Sequence, residues 1–238
     1  MTGTRLRGVL FDLDDTLLDQ RTAVRQALDA WLPTLGVAST PELYALWPKV
    51  QEPHLQAWRE RRISFGEQRR RRLRDFLPAI RVRYAEEQLD EIFEEGYLRS
   101  YEAVYQVFAD VDAALTAVAA AGLVPAVLTN GTTAQQHDKL ARVGLAGRVG
   151  PVFTVDDLGV AKPDPAAFRL ACDRWGLPPA AVLSVGDNHA FDVLAARRAG
   201  LRAAHLDRRD EGPHDDPHRL RSLTELPAFL GLARWSAA

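Results

Sequence analysis

The sequence predicts an α/β protein: a doubly wound parallel sheet whose chain is interrupted once by a small all-helical insert. Three observations predict it. Beyond residue 105, short apolar runs alternate with segments of helical period, the order in which parallel strands and crossover helices are built. From about residue 19 to residue 100 only helical periodicity is found: Ala23, Leu28, Leu32; Phe65, Leu73, Phe76, Leu77; Leu89, Ile92, Phe93, Tyr97. Several apolar runs also end in acidic or small polar residues, at the strand ends where such sheets gather their chemistry.

The first strand is expected over residues 6–11, where Leu6, Val9, Leu10 and Phe11 form the run of a strand buried on both faces. After the insert, a helix at Val111–Ala121 leads into a strand at Val124–Leu128, and a helix at Thr133–Val143 into one near Val152–Val155. A helix at Pro165–Trp175 precedes a strand at Val182–Val185, and a helix at Phe191–Ala199 precedes one at Arg202–Leu206. These strands define a Rossmann-like core from residues 1–18 and 101–238, with 19–100 as a separate helical domain. Residues 207–218, rich in Asp, Arg, His and Pro, read as a surface loop before a last short helix at Ser222–Leu230.

Composition sets limits on function. The 238 residues suffice for a full core, and 47% hydrophobic with 26% charged residues is ordinary for a soluble protein. A net charge of −2 leaves nothing global to draw the chain to nucleic acid or to an anionic membrane. The single cysteine, Cys172, excludes an internal disulfide, fits a reducing compartment and reads as a small core residue. The N-terminus lacks a signal-peptide stretch. The longest apolar tract, Ala113–Leu128, is broken by Gly122 and Pro125 and is too short to span a bilayer. A cytoplasmic monomer or homodimer with no membrane or nucleic-acid partner is expected. Lysine is scarce, with only Lys49, Lys139 and Lys162; the preference for arginine reads first as mutational bias of the genome, but it makes each lysine worth inspecting.

Four segments carry candidate chemistry. Asp12, Asp14 and Asp15 follow the first strand, where a buried, unpaired carboxylate would cost several kcal/mol. In an extended stretch Asp12 and Asp14 share one side, about 6–7 Å apart. One can attack an electrophile while the other handles a proton, provided a cation offsets their repulsion. The plainer reading is a strand followed by an acidic helix cap. In the second segment, Val127-Leu128-Thr129-Asn130-Gly131, a hydroxyl at the strand end and the free N–H groups of the next helix can form an anion pocket, although strand–Asn–Gly turns are common. In the third, Gly159 to Pro165, Asp164 as cap and Pro165 at the first helical turn have structural reasons. Lys162 has none, and a flexible ammonium there can neutralise both a nucleophile and a phosphate. In the fourth, Val182 to Asp192, a core strand delivers Asp187, and Asp192 follows in the first turn of the next helix, where the helix dipole alone favours an acid. Asp12, Asp14 and Asp187 would converge at one sheet edge and give hard oxygen ligands for Mg²⁺.

The ordered set Asp12-x-Asp14-x-Thr16, Thr129, Lys162 and Gly186-Asp187-x₄-Asp192 resembles the haloacid dehalogenase (HAD) superfamily of hydrolases, and the resemblance covers the whole chain. It implies that residues 19–100 are a helical cap domain. It also implies that Asp12 is the nucleophile and Asp14 the general acid and base, that Thr129 and Lys162 hold phosphate together with the Asn130-Gly131 turn, and that Asp187 binds Mg²⁺. Asp192 matches the second acid of the last motif, whose role varies. The dehalogenases that named the superfamily lack the carboxylate that is Asp14 here, and an alkoxide needs a proton to leave where a halide does not. The resemblance therefore implies a Mg²⁺-dependent phosphatase acting on a small phosphorylated metabolite, with a lean toward nucleotide or sugar phosphates. The alternatives are a phosphomutase of the same superfamily and a non-catalytic phosphate-ligand binder.

Other signals read as structural. The eight arginines from Arg59 to Arg74 alternate with Ile63, Phe65, Leu73 and Phe76 and are expected on a solvated helix face. Trp31, Trp47 and Trp58 are expected in the packing of the insert, and His214-Asp215-Asp216-Pro217-His218 in a loop without a metal site.

Overall fold

The computed structural model describes residues 4–232. The strands are β1 (Gly8–Phe11), β2 (Val124–Leu128), β3 (Val152–Phe153), β4 (Val182–Gly186), β5 (Arg202–Leu206) and β6 (Arg219–Leu220). They form one sheet in the order β3-β2-β1-β4-β5-β6, and every pairing is parallel. All residues of β1 and β4 are buried, as their predominantly apolar runs require. Successive residues point to opposite faces. Val9 and Phe11 pack with Leu115, Val118, Val127, Leu183 and Val185, while Leu10 packs with Ala126, Leu128, Phe168, Cys172 and Val182.

The chain builds outward from β1 through β2 to β3, then returns to lay β4, β5 and β6 on the other side. The strand order therefore reverses between β1 and β4, and the crevice at their carboxyl ends is where such sheets bind ligands. Phe11 pairs with Val185, and the Asp12 N–H donates to the Val185 carbonyl at 2.9 Å, so Asp12 and the Gly186-Asp187 pair emerge side by side.

The chain divides into two compact units, one running through Asp19 and resuming at Val107, the other Gln20–Gln106. The second boundary lies six residues beyond the expected position at 100. Tyr97, Tyr101 and Tyr105 explain the shift: their rings follow one another at 5.8 and 4.9 Å, which keeps the chain in the helical unit's own core. That core is aromatic, with Trp31 stacked on Phe76 at 6.0 Å and Trp47 tilted on Tyr97 at 4.4 Å. Gly96 makes room for it, since a Cβ there would lie 2.4 Å from the Trp31 Nε1.

The arginine-rich helix Phe65–Ala79 differs from expectation. Arg72 is only 5% exposed; its guanidinium lies over Trp47 and Phe93 and donates to Gln68 at 2.9 Å. Residues 65, 69, 72 and 76 share one helix face, so Arg69 and Arg72 lie among the aromatic rings while Arg70, Arg71 and Arg74 pair with Asp90, Glu67 and Glu86.

The segment 207–218 is tied down as well. Asp207 accepts from the Glu211 and Gly212 N–H groups at 2.9 and 3.1 Å and from Arg219 at 2.7 and 2.9 Å, which brings the unexpected two-residue strand β6 against β5. Asp216 is gripped by Arg197 at 2.7 and 2.8 Å. Asp207, Asp210 and His214 stand close enough to share a cation, yet both aspartates already face Arg219. Smaller differences come from capping. Thr154 and Asp157 form a capping box, so the strand expected to 155 ends at Phe153. Asn188 caps a π-helical turn, His189–Leu194, which leads into Ala195–Arg198 where the helix 191–199 was expected. The final segment has a 3₁₀ turn, Leu223–Glu225, before the helix Leu226–Leu232. Among the described residues no helix is long and apolar enough to cross a membrane.

Burial alone would raise the Asp207 pKa, but Arg219 and the two N–H donors reverse that and hold it at about 2. A carboxyl depressed in the folded state stabilises above its unfolded value, about 4, and loses that contribution as pH falls through the folded value. Asp207→Asn should therefore reduce unfolding free energy by about 1–3 kcal/mol at pH 7, and its deficit should narrow as pH falls below about 4. Urea denaturation of both proteins across pH 7 to 3 measures this; a deficit that widens in acid contradicts the assignment.

Candidate active site

The site is built where β1, β2 and β4 end, with one lysine from the loop before the helix Pro165–Trp175. Asp12 leaves β1 directly into the crevice. Its Oδ1 accepts from the Lys162 Nζ at 2.6 Å, and the same Nζ lies 2.5 Å from the Asp192 Oδ1. Lys162 is 4% exposed, a burial that demands full pairing of its charge. Burial would depress its pKa, but Asp12 and Asp192 outweigh that and keep the ammonium protonated beyond the ordinary lysine range.

Asn130 holds Lys162 from behind. Its amide donates to the Lys162 carbonyl at 2.8 Å and its carbonyl oxygen accepts from the Lys162 N–H at 2.8 Å. The side chain expected at the phosphate is thus committed to the lysine's backbone. Thr129, 2% exposed at the end of β2, donates its N–H to the Phe153 carbonyl at 3.0 Å, and its hydroxyl makes no hydrogen bond among the described residues. Gly131 follows in the same turn, and a Cβ there would collide with the Gln136 side chain.

After β4, Gly186 is required by close approach: a Cβ would lie 2.4 Å from the Asp192 Cβ and Cγ. Asp192 is 2% exposed; its Oδ2 accepts from the Asn188 N–H at 3.0 Å and its carbonyl accepts from the Ser184 hydroxyl at 3.1 Å. Asp187 is fixed through its backbone. Its N–H donates to the Thr16 Oγ1 at 3.0 Å, and its carbonyl accepts from the His205 Nε2 at 2.9 Å. Burial raises the pKa of Asp187, and repulsion from Asp12, Asp192 and Asp15 adds to it. Burial likewise raises that of Asp192, against the pull of Lys162.

Asp12, Asp187 and Asp192 each offer an oxygen within 4.8 Å of the other two. Three carboxylates share one ammonium, leaving an excess of negative charge on hard oxygen donors. That donor set and that excess fit a divalent cation. Asp14 was expected among the ligands, but its carboxylate is not in this group. It is held by the Lys139 Nζ at 2.6 and 2.8 Å, and the chain turns immediately after it at Asp15, whose φ is +62°. Asp192 is the third member of the group. Burial raises the Asp14 pKa, and Lys139 opposes that rise. Sequence reasoning missed Ser184 and His205 as supports of the site; it noted Thr16 only as part of the first motif and Lys139 only through the scarcity of lysine, without giving either a partner.

A model of the haloacid dehalogenase-like hydrolases matches residues 6–200. The chain is 31% identical to phosphoserine phosphatase of Thermus thermophilus, over 88% of this chain and 92% of that protein. It is 30% identical to (S)-2-haloacid dehalogenase 1 of a Pseudomonas species, over 94% and 96%. Among solved structures, the magnesium-bound HAD-hydrolase YfnB of Bacillus subtilis matches with a TM-score of 0.82 at 22% identity, over 96% of this chain and all of that one, a likeness of fold.

Asn130→Ala removes both hydrogen bonds to the Lys162 backbone and should cost about 1–3 kcal/mol of stability. Asn130→Asp should not restore it, because a carboxylate cannot donate to the Lys162 carbonyl. Denaturant midpoints of the three proteins decide; an Asp variant as stable as the parent would rule out the clasp.

Proposed function

This chain belongs to the haloacid dehalogenase-like hydrolase family, and from that premise we propose that it is a Mg²⁺-dependent phosphatase for small phosphate monoesters. The observation that carries the proposal is the group Asp12, Asp187 and Asp192 around Lys162. Its excess negative charge would repel a phosphate dianion unless a divalent cation joined Lys162. Displacement of halide from carbon requires no such cation, because the leaving anion is already stable.

In the proposed mechanism an Asp12 carboxylate oxygen attacks phosphorus in line with the departing oxygen. The Asp12–phosphorus bond forms as the ester P–O bond breaks, and Asp14 gives its proton to the leaving oxygen. Water then attacks phosphorus and gives a proton to Asp14, and the Asp12–phosphorus bond breaks to release phosphate. Asp12 and Asp187 would hold Mg²⁺, with Asp192 beside them, and the ion would supply charge neutralisation at the phosphoryl oxygens. Lys162 stabilises the same charge from within the protein, while Asp192 and Asn130 keep it in place. The Thr129 hydroxyl and the Asn130-Gly131 backbone line the phosphate end. The helical unit carries none of these motifs, and we assign substrate choice to it as a cap. The phosphoserine phosphatase relative supports a small phosphorylated metabolite, without favouring a nucleotide or a sugar.

The 30% identity to a haloacid dehalogenase supports a second reading, halide displacement through Asp12, and Asp14 argues against it. The purified protein should release phosphate from p-nitrophenyl phosphate, lose that activity in excess EDTA, and regain it with Mg²⁺. It should release no chloride from (S)-2-chloropropionate; chloride without phosphate would establish the second reading instead. Asp12→Asn should lower phosphate release by about three orders of magnitude or more with an unchanged melting temperature, and activity within tenfold of the parent would remove Asp12 as nucleophile.

Leaving groups should separate the role of Asp14. In single turnovers Asp14→Asn should slow an alkyl phosphate about 100-fold or more and p-nitrophenyl phosphate far less, because nitrophenolate leaves without a proton. Equal losses on both substrates would mean that Asp14 is not the acid.

A further inference from the structure

The proposed chemistry leaves the buried ammonium of Lys139 unused. Lys139 lies on the helix Thr133–Arg142, is 3% exposed, and places its Nζ 2.6 and 2.8 Å from the two carboxylate oxygens of Asp14 across 125 residues of chain. An ammonium in such a place is costly to bury, and an apolar pair in place of Lys139 and Asp14 together would serve stability as well or better. Its neighbour Leu140, 1% exposed, already packs this helix into the sheet's core. The crevice thus keeps two lysines on separate carboxylates: Lys162 on Asp12 and Asp192, Lys139 on Asp14.

We propose that Lys139 is a positioning residue for Asp14: its ammonium fixes where that carboxylate points and keeps it out of the Asp12–Asp187–Asp192 group. This rests on the reading of Asp14 as acid and base. Without the tether, the Asp14 carboxylate is poorly placed for the leaving oxygen, while in-line attack by Asp12 is untouched. The loss therefore falls on the proton-transfer component of the reaction and appears in kcat rather than KM.

Single-turnover rates on p-nitrophenyl phosphate and an alkyl phosphate test this with the full chain and its variants Lys139→Met, Lys139→Arg, Asp14→Asn and Asp14→Asn/Lys139→Met. Lys139→Met should slow the alkyl substrate about ten- to hundredfold and the aryl substrate several times less, with little change in KM. Lys139→Arg should recover most of the rate. The double variant should match Asp14→Asn alone within about twofold, because two residues acting through one proton transfer are not additive. Equal loss on both substrates, failure of Lys139→Arg to recover rate, or a double variant slower by the product of the single losses would overturn the proposal. If Lys139→Met does not fold, Lys139→Arg and the double variant, which leaves no unpaired carboxylate, still decide it. The two readings fail differently. A parent inactive on both phosphates, or Asp14→Asn without leaving-group preference, removes the acid–base reading and Lys139 with it. A leaving-group preference in Asp14→Asn that is absent from the Lys139 variants removes Lys139 alone.

Discussion

A buried ammonium between two carboxylates is the constraint on which the larger unit depends. Lys162 stands 2.6 Å from Asp12 and 2.5 Å from Asp192. Neither the lysine nor the aspartates would be tolerated at this depth without the others, because each isolated charge would cost several kcal/mol. The supports follow from that need. Asn130 grips the lysine's backbone on both sides, Gly186 lacks the Cβ that would expel Asp192, and the Ser184 hydroxyl holds the Asp192 carbonyl. Even the sheet order serves it, since only a reversal between β1 and β4 sets Asp12 and Asp187 on adjacent strands.

Around this centre the loop after β1 is fastened by a second set of charges. Asp15 faces Arg209 at 3.1 Å, and Arg208 donates to the Thr16 carbonyl while gripping both oxygens of Asp110. Asp110 in turn accepts from the Ser222 hydroxyl and the Leu223 N–H. Residues 12–18, the segment after β5 and the segment before the last helix are therefore braced together by charge-assisted hydrogen bonds, which tolerate little displacement. A loop bearing the alternating positions Asp12, Asp14 and Thr16 needs such rigidity to keep the proposed nucleophile and proton donor in register.

The helical unit solves a different problem. Its core is ring on ring, with Trp31 and Trp47 against each other and each against Phe76 and Tyr97. Arg72 enters that core because aromatic faces and the Gln68 carbonyl oxygen replace part of its hydration. Charge on a helix is thus no guarantee of exposure when neighbouring helices bring aromatic rings such as Trp47 and Phe93 against that face.

The sequence alone determined the layered plan. Apolar runs and helical periods are local patterns, readable within a window of ten residues, and they located β1, β2, β4 and β5 to within about two residues at either end. Strand-end acids at Asp12 and Asp187 and the lysine Lys162 stood out because nothing structural explained them. Tertiary structure decided the pairings. Asn130 with Lys162, Thr16 with Asp187 and Lys139 with Asp14 join residues 32, 171 and 125 positions apart. No periodicity encodes such distances; they exist only once strand order has been set. The same holds for β6, whose two residues are strand only because Asp207 draws Arg219 against β5. Which of two neighbouring carboxylates meets the charge cluster and which meets Lys139 is settled by the elements that deliver Lys162 and Lys139, both more than a hundred residues away in sequence.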